Sequence, residues 1–457
     1  MTKDSNTPTR IRPYHETLEP DGPIILVKEV VRVFPAYPRD ENKDLEAEGE
    51  LQIIQRWSPM RLEFKFEGDL VSPDEFDEDE DEFPIEKDLD SFGDSVRFES
   101  DFFTTEGLVL VKGAREIHGE IDAEEFITGT DHKLDRVTFH IPNYHEISGS
   151  KTIQDRDGWS VYDWSEIKLE ADNWLITLQP YRNIRELNQQ AFLKYKTVLS
   201  GIGEIKKNDG SQFKIVEVQR LIEALHFFLS FVFLEWTPPL LVVGSNKVKE
   251  KSWQHCRNYD VRRSDISGLK SWAPFISEDL SHAFQCFLVK WSNPEWREPL
   301  ELSITWLIES TRQSEQSAGA IAFGQIPIEM LAWMVFVDEK TIIADSEFKK
   351  LSAASIFQLL LSHCQISLDV PNSMTSLKKL IQKTRKISTA PQLLTTIRNT
   401  IIHPHKNNRK VLQQWEKEYG IEIEAIRNES QILLQHYITL ILLFLIDYQG
   451  EYRSLAD

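Results

Sequence analysis

Apolar positions in the N-terminal half of the chain recur with a period of two. Short runs alternate apolar and polar residues, are rich in β-branched and aromatic side chains, and are bounded by Gly, Asp, Asn or Pro; they include RLEFKFEGDL, GLVLVKGAREIHGEI, DRVTFHIPNY and NWLITLQPY. Such runs are typical of half-buried strands. The pattern predicts a β-rich sandwich or barrel-like domain over residues 1–215.

The period changes at Val216. The stretch VEVQRLIEALHFFLSFVFLEW is apolar around most of its circumference, as in a helix packed on several sides. TPPLLVVGSNK then ends that helix, and the mixed sequence up to residue 299 contains Trp253, Trp272, Trp291 and Trp296. We interpret residues 216–299 as a helical and irregular connecting region whose tryptophans contribute packing.

From residue 300 onward the apolar spacing is helical. LELSITWLIEST, SAGAIAFGQIPIEMLAWMVFV, EFKKLSAASIFQLLLSHCQI and SMTSLKKLIQKTRK all fit this pattern, and a long helix over residues 421–448 closes the chain. Pro327 is expected to kink or split the second of these helices, because proline lacks the backbone N–H. The prediction is an all-α bundle over residues 300–457, and an α+β protein as a whole.

One helix of this bundle carries candidate chemistry. It is expected to start near Pro391, with Ser388 or Thr389 as its cap, and to bury an apolar stripe beside Arg398. It should end before Pro404, which disfavours helical backbone in its predecessor His403. Residues five apart diverge on a regular helix, so only a released last turn would let that histidine approach Arg398.

Charge sets this helix apart from the rest of the chain. The protein has a formal net charge of -21, whereas residues 372–415 contain nine Lys or Arg and no Asp or Glu. An acidic chain repels polyanions except at such a segment, to which a nucleic acid could be drawn. The alternative is a solvated basic face that acidic neighbours neutralise in the fold.

A second charged stretch, residues 74–82, is almost entirely carboxylate. Self-repulsion and the lack of apolar residues predict a solvated, disordered surface loop. A calcium site is the alternative, but the ligand spacing and glycine of an EF-hand loop are missing.

Composition and motifs limit the cellular compartment and the kinds of catalytic site that we expect. Three widely separated cysteines argue against a disulfide framework or a zinc cluster. The N-terminus lacks the charged-then-apolar pattern of a secretory signal peptide. The apolar run 438–446 is too short to cross a bilayer. HPH at 403–405 has no neighbouring carboxylate or cysteine to complete a metal site, and there is no Gly-rich phosphate loop. We expect a cytoplasmic protein without a membrane span, metal or cofactor.

The arrangement around Arg398 resembles the Arg-x4–6-His signature of HEPN domains, in the form found among ApeA-like HEPN proteins. The motif is Arg398, Asn399, three residues and His403. PEWREPLELSITWLIES, AGAIAFGQIPIEMLAWMVF, FQLLLSHCQISLDVP and LTTIRNTIIHPHK are similar to that family in order and spacing, across residues 296–457. ApeA-like proteins also carry a strand-rich N-terminal region.

The resemblance implies a metal-independent endoribonuclease that turns the ribose 2′-hydroxyl on the neighbouring phosphate, used in antiviral defence or as a regulated toxin. Arg398, Asn399 and His403 are then the candidate catalytic residues, because histidine exchanges protons near neutral pH and arginine holds phosphate. The candidate RNA-binding residues are Lys406, Arg409, Lys410 and His405, and the candidate supporting residues are Glu309 and Glu329.

The resemblance also implies partners. One chain offers one convincing histidine, so we expect a homodimer through the C-terminal bundle, with residues 438–446 contributing core or interface. RNA is the expected substrate, and the N-terminal domain would sense a protein or phage-derived trigger.

Non-catalytic roles for the same residues stay open. Arg398 could pair with a carboxylate such as Glu309, Asn399 could cap a helix turn, and His403 could simply end the helix. His405, after a proline, could be incidental. The competing function is a binding or scaffold protein that dimerises through the bundle without performing chemistry.

Overall fold

The computed structural model describes residues 11, 24–35, 46–57, 60–71, 95–100, 103–112, 115–121, 125–129, 133–144, 152–154, 160–162, 166–181, 184, 186, 187, 189, 197–259, 261, 271–274, 277–312, 318–384, 386–402 and 410–456. The chain forms two compact units. One contains residues 1–144, 176–221 and 238–262, and the other contains residues 145–175, 222–237 and 263–457. The first is rich in strands and the second in helices, which confirms the predicted α+β class.

Six strands of the first unit close into an antiparallel barrel in the order β1–β2–β3–β6–β5–β4. They are β1 (Ile24–Pro35), β2 (Glu46–Trp57), β3 (Met60–Val71), β4 (Ser95–Glu99), β5 (Thr104–Lys112) and β6 (Glu116–Ile121). Alternating side chains point inward, and the rings of Phe64 and Phe98 meet edge to face at 4.8 Å. Gly49 lies opposite Gly68, where a Cβ atom would lie 2.3 Å from the Glu67 carbonyl oxygen, so β2 and β3 approach closely there.

The first unit also contains strands of a second sheet, which neighbour one another in the order β12–β13–β8–β14–β15–β7. Its strands are β7 (Glu125–Thr128), β8 (Arg136–Pro142), β12 (Trp174–Pro180), β13 (Leu199–Lys207), β14 (Leu240–Ser245) and β15 (Trp253–Arg257). The strands β14 and β15 come from residues 216–299, the region interpreted from the sequence as connecting. Every residue of β14 is buried, so its sequence LLVVGS shows no alternation that would reveal a strand.

Helices dominate the second unit. They are α1 (Ile215–Phe233), whose first turns belong to the first unit, α2 (Ser277–Trp291), α3 (Pro294–Arg312), α4 (Ala318–Trp333), α5 (Asp345–Phe348), α6 (Ala353–His363), α7 (Thr375–Lys383), α8 (Ala390–Ile402), α9 (Val411–Tyr419) and α10 (Ile423–Leu445). This unit also contains three short strands, β9 (Thr152–Gln154), β10 (Ser160–Tyr162) and β11 (Ile167–Ala171). The bundle begins before the predicted residue 300, because α2 buries Leu280, Phe284, Phe287 and Trp291 along one face.

The helix α4 passes through Pro327 without a break, so the predicted split is wrong. Pro327 is buried in the bundle, and tertiary packing outweighs the missing hydrogen bond there. At Gly324 a Cβ atom would lie 3.2 Å from the Cβ of Leu434, which shows how closely α4 approaches α10. A six-residue π-helical segment, Met334–Glu339, extends α4 at its C-terminal end.

Apolar segments of the bundle pack inside the protein. Within the described part of the chain, Ala318–Glu339 is the one helical segment long and apolar enough to cross a membrane, and more than half of its most apolar window is buried. Residues 438–446 are buried except for Leu440 and Phe444, which are partly exposed. That run therefore forms core, and little of it is left for an interface.

Candidate functional site

Local sequence explains where α8 begins and ends. The side-chain oxygen of Thr389 accepts a hydrogen bond from the Gln392 N–H at 3.4 Å, while Gln392 Oε1 accepts one from the Ser388 N–H at 3.0 Å. This reciprocal pair satisfies free N–H groups at the helix start, as the sequence predicted. Leu393, Leu394 and Ile397 are fully buried, which fixes the rotation of the helix and leaves Arg398 at the edge of its buried face.

Arg398 contacts groups on two helices. Its Nη2 lies 3.8 Å from Oε1 of Glu329 on α4, and its Nη1 donates to Oδ1 of Asn399 at 3.4 Å. The buried Nε has no hydrogen-bond partner among the described residues. The Arg398 side chain is 22% exposed, and its long contacts leave the guanidinium with donor capacity for an anion.

The structure separates the two glutamates proposed as supports. Glu329 reaches Arg398, whereas Glu309 pairs with Arg312 at 3.0 Å and accepts a hydrogen bond from Trp236 Nε1 at 3.4 Å. The anticipated Arg398–Glu309 pair does not form. Glu309 instead forms an ion pair within its own helix, α3, with Arg312 three residues later.

Part of the motif lies outside the described residues. Of the candidate catalytic and RNA-binding residues, these are His403, His405, Lys406 and Arg409. The acidic run 74–82 also lies outside the described residues. The structure describes α8 as far as Ile402, the residue before His403. Of the proposed RNA-binding residues it describes Lys410, which is exposed and precedes α9.

Four lysines of the basic segment carry charge that no described carboxylate pairs with directly. Lys379, Lys383, Lys386 and Lys410 are exposed, and none forms an ion pair with any described residue. Elsewhere in the same unit, Lys349 and Lys350 pair with Asp345 and Glu347. Among the described residues, the ion pair between Arg398 and Glu329 is thus the part of the basic segment that an acidic neighbour compensates, while these four lysines have no such partner.

Sequence reasoning missed an apolar strip next to Arg398. The rings of Trp306 of α3 and Phe323 of α4 lie 5.4 Å apart in a tilted arrangement, and both side chains are partly exposed. Three apolar side chains that are more than a third exposed lie one helical turn from these residues or from Arg398: Leu302 before Trp306, Ile326 after Phe323 and Ile402 after Arg398. Ile326 lies one turn before Glu329, and Ile402 one turn after Arg398, so the strip flanks the ion pair. The i, i+4 spacing of Leu302 and Trp306 was the available signal.

Thiol chemistry and metal binding have little support in the described residues. Cys256, Cys286 and Cys364 are free, and burial raises the pKa of the Cys256 and Cys364 thiols to about 12, which leaves almost no thiolate at neutral pH. Among the residues described, three or more His, Cys, Asp or Glu side chains do not gather in a group that could hold a metal ion.

Comparison with known proteins identifies two stretches of this chain. Residues 293–457 match the YopA C-terminal domain. Residues 129–265 match the YopA central domain. The YopA C-terminal match begins beside the first residue of α3 and contains Arg398, Asn399, Glu309 and Glu329, while the central match covers β8 and β12 to β15.

A curated relative has the same name. The SPbeta prophage-derived uncharacterized protein YopA of Bacillus subtilis (strain 168) is 25% identical over 333 residues, which cover 71% of this chain and 70% of the relative. No solved structure matches the chain significantly.

Proposed function

We propose that this protein is a metal-independent endoribonuclease of the HEPN type. The observation that carries the proposal is the state of Arg398. Its guanidinium is partly exposed, is held at 3.8 Å by Glu329, has one donor without an acceptor among the described residues, and belongs to a segment free of carboxylates. A phosphate is the ligand that best completes such a fork of donors.

The proposed reaction uses the three motif residues in different roles. The ribose 2′-oxygen forms a bond to the adjacent phosphorus as the bond from phosphorus to the 5′-oxygen breaks. His403 exchanges a proton with the 2′-hydroxyl or the leaving 5′-oxygen. Arg398 stabilises charge on the non-bridging oxygens, and Asn399 orients its neighbours. The products are a 2′,3′-cyclic phosphate and a free 5′-hydroxyl.

A second copy of the chain is part of the proposal, because this reaction needs both an acid and a base. The motif supplies one convincing histidine, so two motifs facing one cleft would supply both. The apolar strip formed by Leu302, Trp306, Phe323, Ile326 and Ile402 supports this arrangement, since it flanks the Arg398–Glu329 pair on the bundle surface.

The biological setting follows from the same proposal. A ribonuclease that cuts host RNA must be restrained, and the β-rich N-terminal region is the candidate sensor of a protein or phage-derived trigger. The curated relative is by its name prophage-derived, which places a similar protein in a phage genome. Antiviral defence or a regulated toxin in the cytoplasm fits that setting.

The test is cleavage of single-stranded RNA by purified protein in EDTA, with product ends examined for 2′,3′-cyclic phosphate. Arg398→Ala and His403→Ala should each abolish cleavage while leaving the protein folded. Arg312→Ala is the matched control, because it removes an ion-paired arginine of similar exposure, 18% against 22%. If cleavage survives both motif substitutions, or if the unaltered protein does not cleave RNA, the nuclease proposal is wrong and the non-catalytic scaffold function replaces it.

A further inference from the structure

The outer face of α7 carries lysines at helical spacing. Lys379 and Lys383 lie one turn apart, Lys386 follows just beyond the helix end, and all three are exposed. The opposite face buries Leu377 and Leu380, so the lysine face is fixed outward.

Carboxylates near α7 bind other groups. Glu429 of α10 accepts hydrogen bonds from the Ser376 and Leu377 N–H groups at 3.0 and 2.8 Å. On α9, which contacts α7, Glu416 accepts from the Ile423 N–H at 3.4 Å and Glu418 from Gln414 Nε2 at 2.7 Å. These carboxylates are oriented towards amide donors, and within the described part of the chain none of them forms an ion pair with Lys379, Lys383 or Lys386.

We infer that Lys379, Lys383 and Lys386 form a track that binds the phosphate backbone of single-stranded RNA and leads it to Arg398. This α7 lysine track deepens the proposed function and rests on it. Four residues of helix span about 6 Å, so successive lysines can reach successive phosphates of an extended strand. The helix α7 contacts α8, which carries Arg398, and α9, which follows Lys410.

Backbone binding has a measurable signature, because each neutralised phosphate releases counterions. For single strands, the slope of log affinity against log salt changes by about 0.7 per phosphate contact. Loss of two track lysines should therefore flatten the slope by about 1.4. A lysine that merely faces solvent would leave the slope unchanged.

The experiment measures fluorescence anisotropy of a 2′-O-methyl oligonucleotide over a series of KCl concentrations. This probe lacks the 2′-hydroxyl, so binding is measured without cleavage. The track variant is Lys379→Gln with Lys383→Gln. Its control is Lys349→Gln with Lys350→Gln, directly after α5, which removes the same charge from exposed positions.

The inference requires a flatter slope and at least ten-fold weaker binding at low salt for the track variant alone. Equal effects in both double variants, or none in either, would overturn it. Cleavage of ordinary RNA, measured in parallel, separates the two proposals. If the unaltered protein cleaves RNA and the track variant binds normally, only the track fails; if the protein binds through α7 but cuts nothing, only the nuclease fails. If the unaltered protein neither binds nor cleaves, both fail.

Discussion

Arg398 of α8 and Glu329 of α4 lie 3.8 Å apart, and this ion pair joins the two helices that border the candidate site. Glu329 is 42% exposed, so solvent screens the pair and its contribution to stability is below about 1 kcal/mol. The pair therefore matters more for where the guanidinium lies than for whether the bundle folds.

Glu329→Gln should separate binding from chemistry. An anionic phosphate competes with the carboxylate for Arg398, so removing that charge should lower KM about two- to five-fold. The guanidinium also loses its orienting partner, so kcat should fall about ten-fold. Steady-state kinetics on a fluorogenic RNA measures both constants. Glu309→Gln is the matched control, and equal effects in the two variants would contradict a positioning role for Glu329.

The apolar strip predicts a dimer, and acidic substitutions on the strip should disrupt that dimer. Leu302→Glu with Ile326→Glu places two carboxylates on the strip, and we expect the protein to become monomeric and its cleavage to fall at least a hundred-fold. Light scattering coupled to size exclusion measures the mass. Val289→Glu with Ile342→Glu changes two more exposed apolar residues, 65% and 64% exposed, away from the strip, and should leave the dimer intact.

A monomeric unaltered protein that still cleaves RNA would contradict the shared cleft. So would a strip variant that stays dimeric and active.

The first unit should lose stability in mild acid. Burial lowers the pKa of His255, although Glu125, whose Oε2 lies 2.9 Å from its Nε2, pulls the pKa upward, and Arg257 adds to the lowering. A folded-state pKa below the unfolded value of about 6.5 means that protonation favours the unfolded chain. Stability is therefore retained above about pH 6.5 and falls as the pH drops towards the folded pKa, by at most about 1.4 kcal/mol per pH unit.

Thermal unfolding between pH 8 and pH 5 checks this prediction. His255→Gln should flatten the acid side of the melting profile, whereas Glu125→Gln should preserve or steepen it, because the remaining histidine loses the negative charge that favours its protonated form. Identical profiles for the two variants would rule out His255 as the source.

Local signals in the sequence were sufficient for α8. Its cap at Thr389 and its buried stripe depend on neighbours within a few residues, so they could be predicted. The strand β14 could not, because burial on both faces erases alternation. Neither could the continuity of α4 through Pro327, where packing against other helices decides the outcome.

The candidate site, too, could be predicted from the sequence only in part. The sequence named Arg398 and two glutamates, but only tertiary structure selects Glu329 over Glu309. Partner choice between helices depends on helix rotation and crossing, which residue spacing within one helix does not specify. The unpaired state of the α7 lysines likewise depends on where distant carboxylates are bound.

Glu429 provides a cap from a distant part of the chain. The N-cap residue of α7, Met374, offers no side-chain acceptor, and the Glu429 carboxylate on α10 instead accepts hydrogen bonds from the Ser376 and Leu377 N–H groups. Glu429→Ala should leave these donors unpaired and make local opening of α7 easier by about 1–2 kcal/mol, or about ten-fold in amide protection.

Hydrogen exchange of a peptide covering residues 374–383 measures this opening. Glu418→Ala removes an exposed glutamate whose acceptor role involves Gln414 on its own helix, and it should leave protection of α7 unchanged. Because the α7 lysine track requires an ordered helix, Glu429→Ala should also weaken binding of the 2′-O-methyl oligonucleotide. Normal protection of residues 374–383 in Glu429→Ala would show that α7 is held by its buried Leu377 and Leu380 alone.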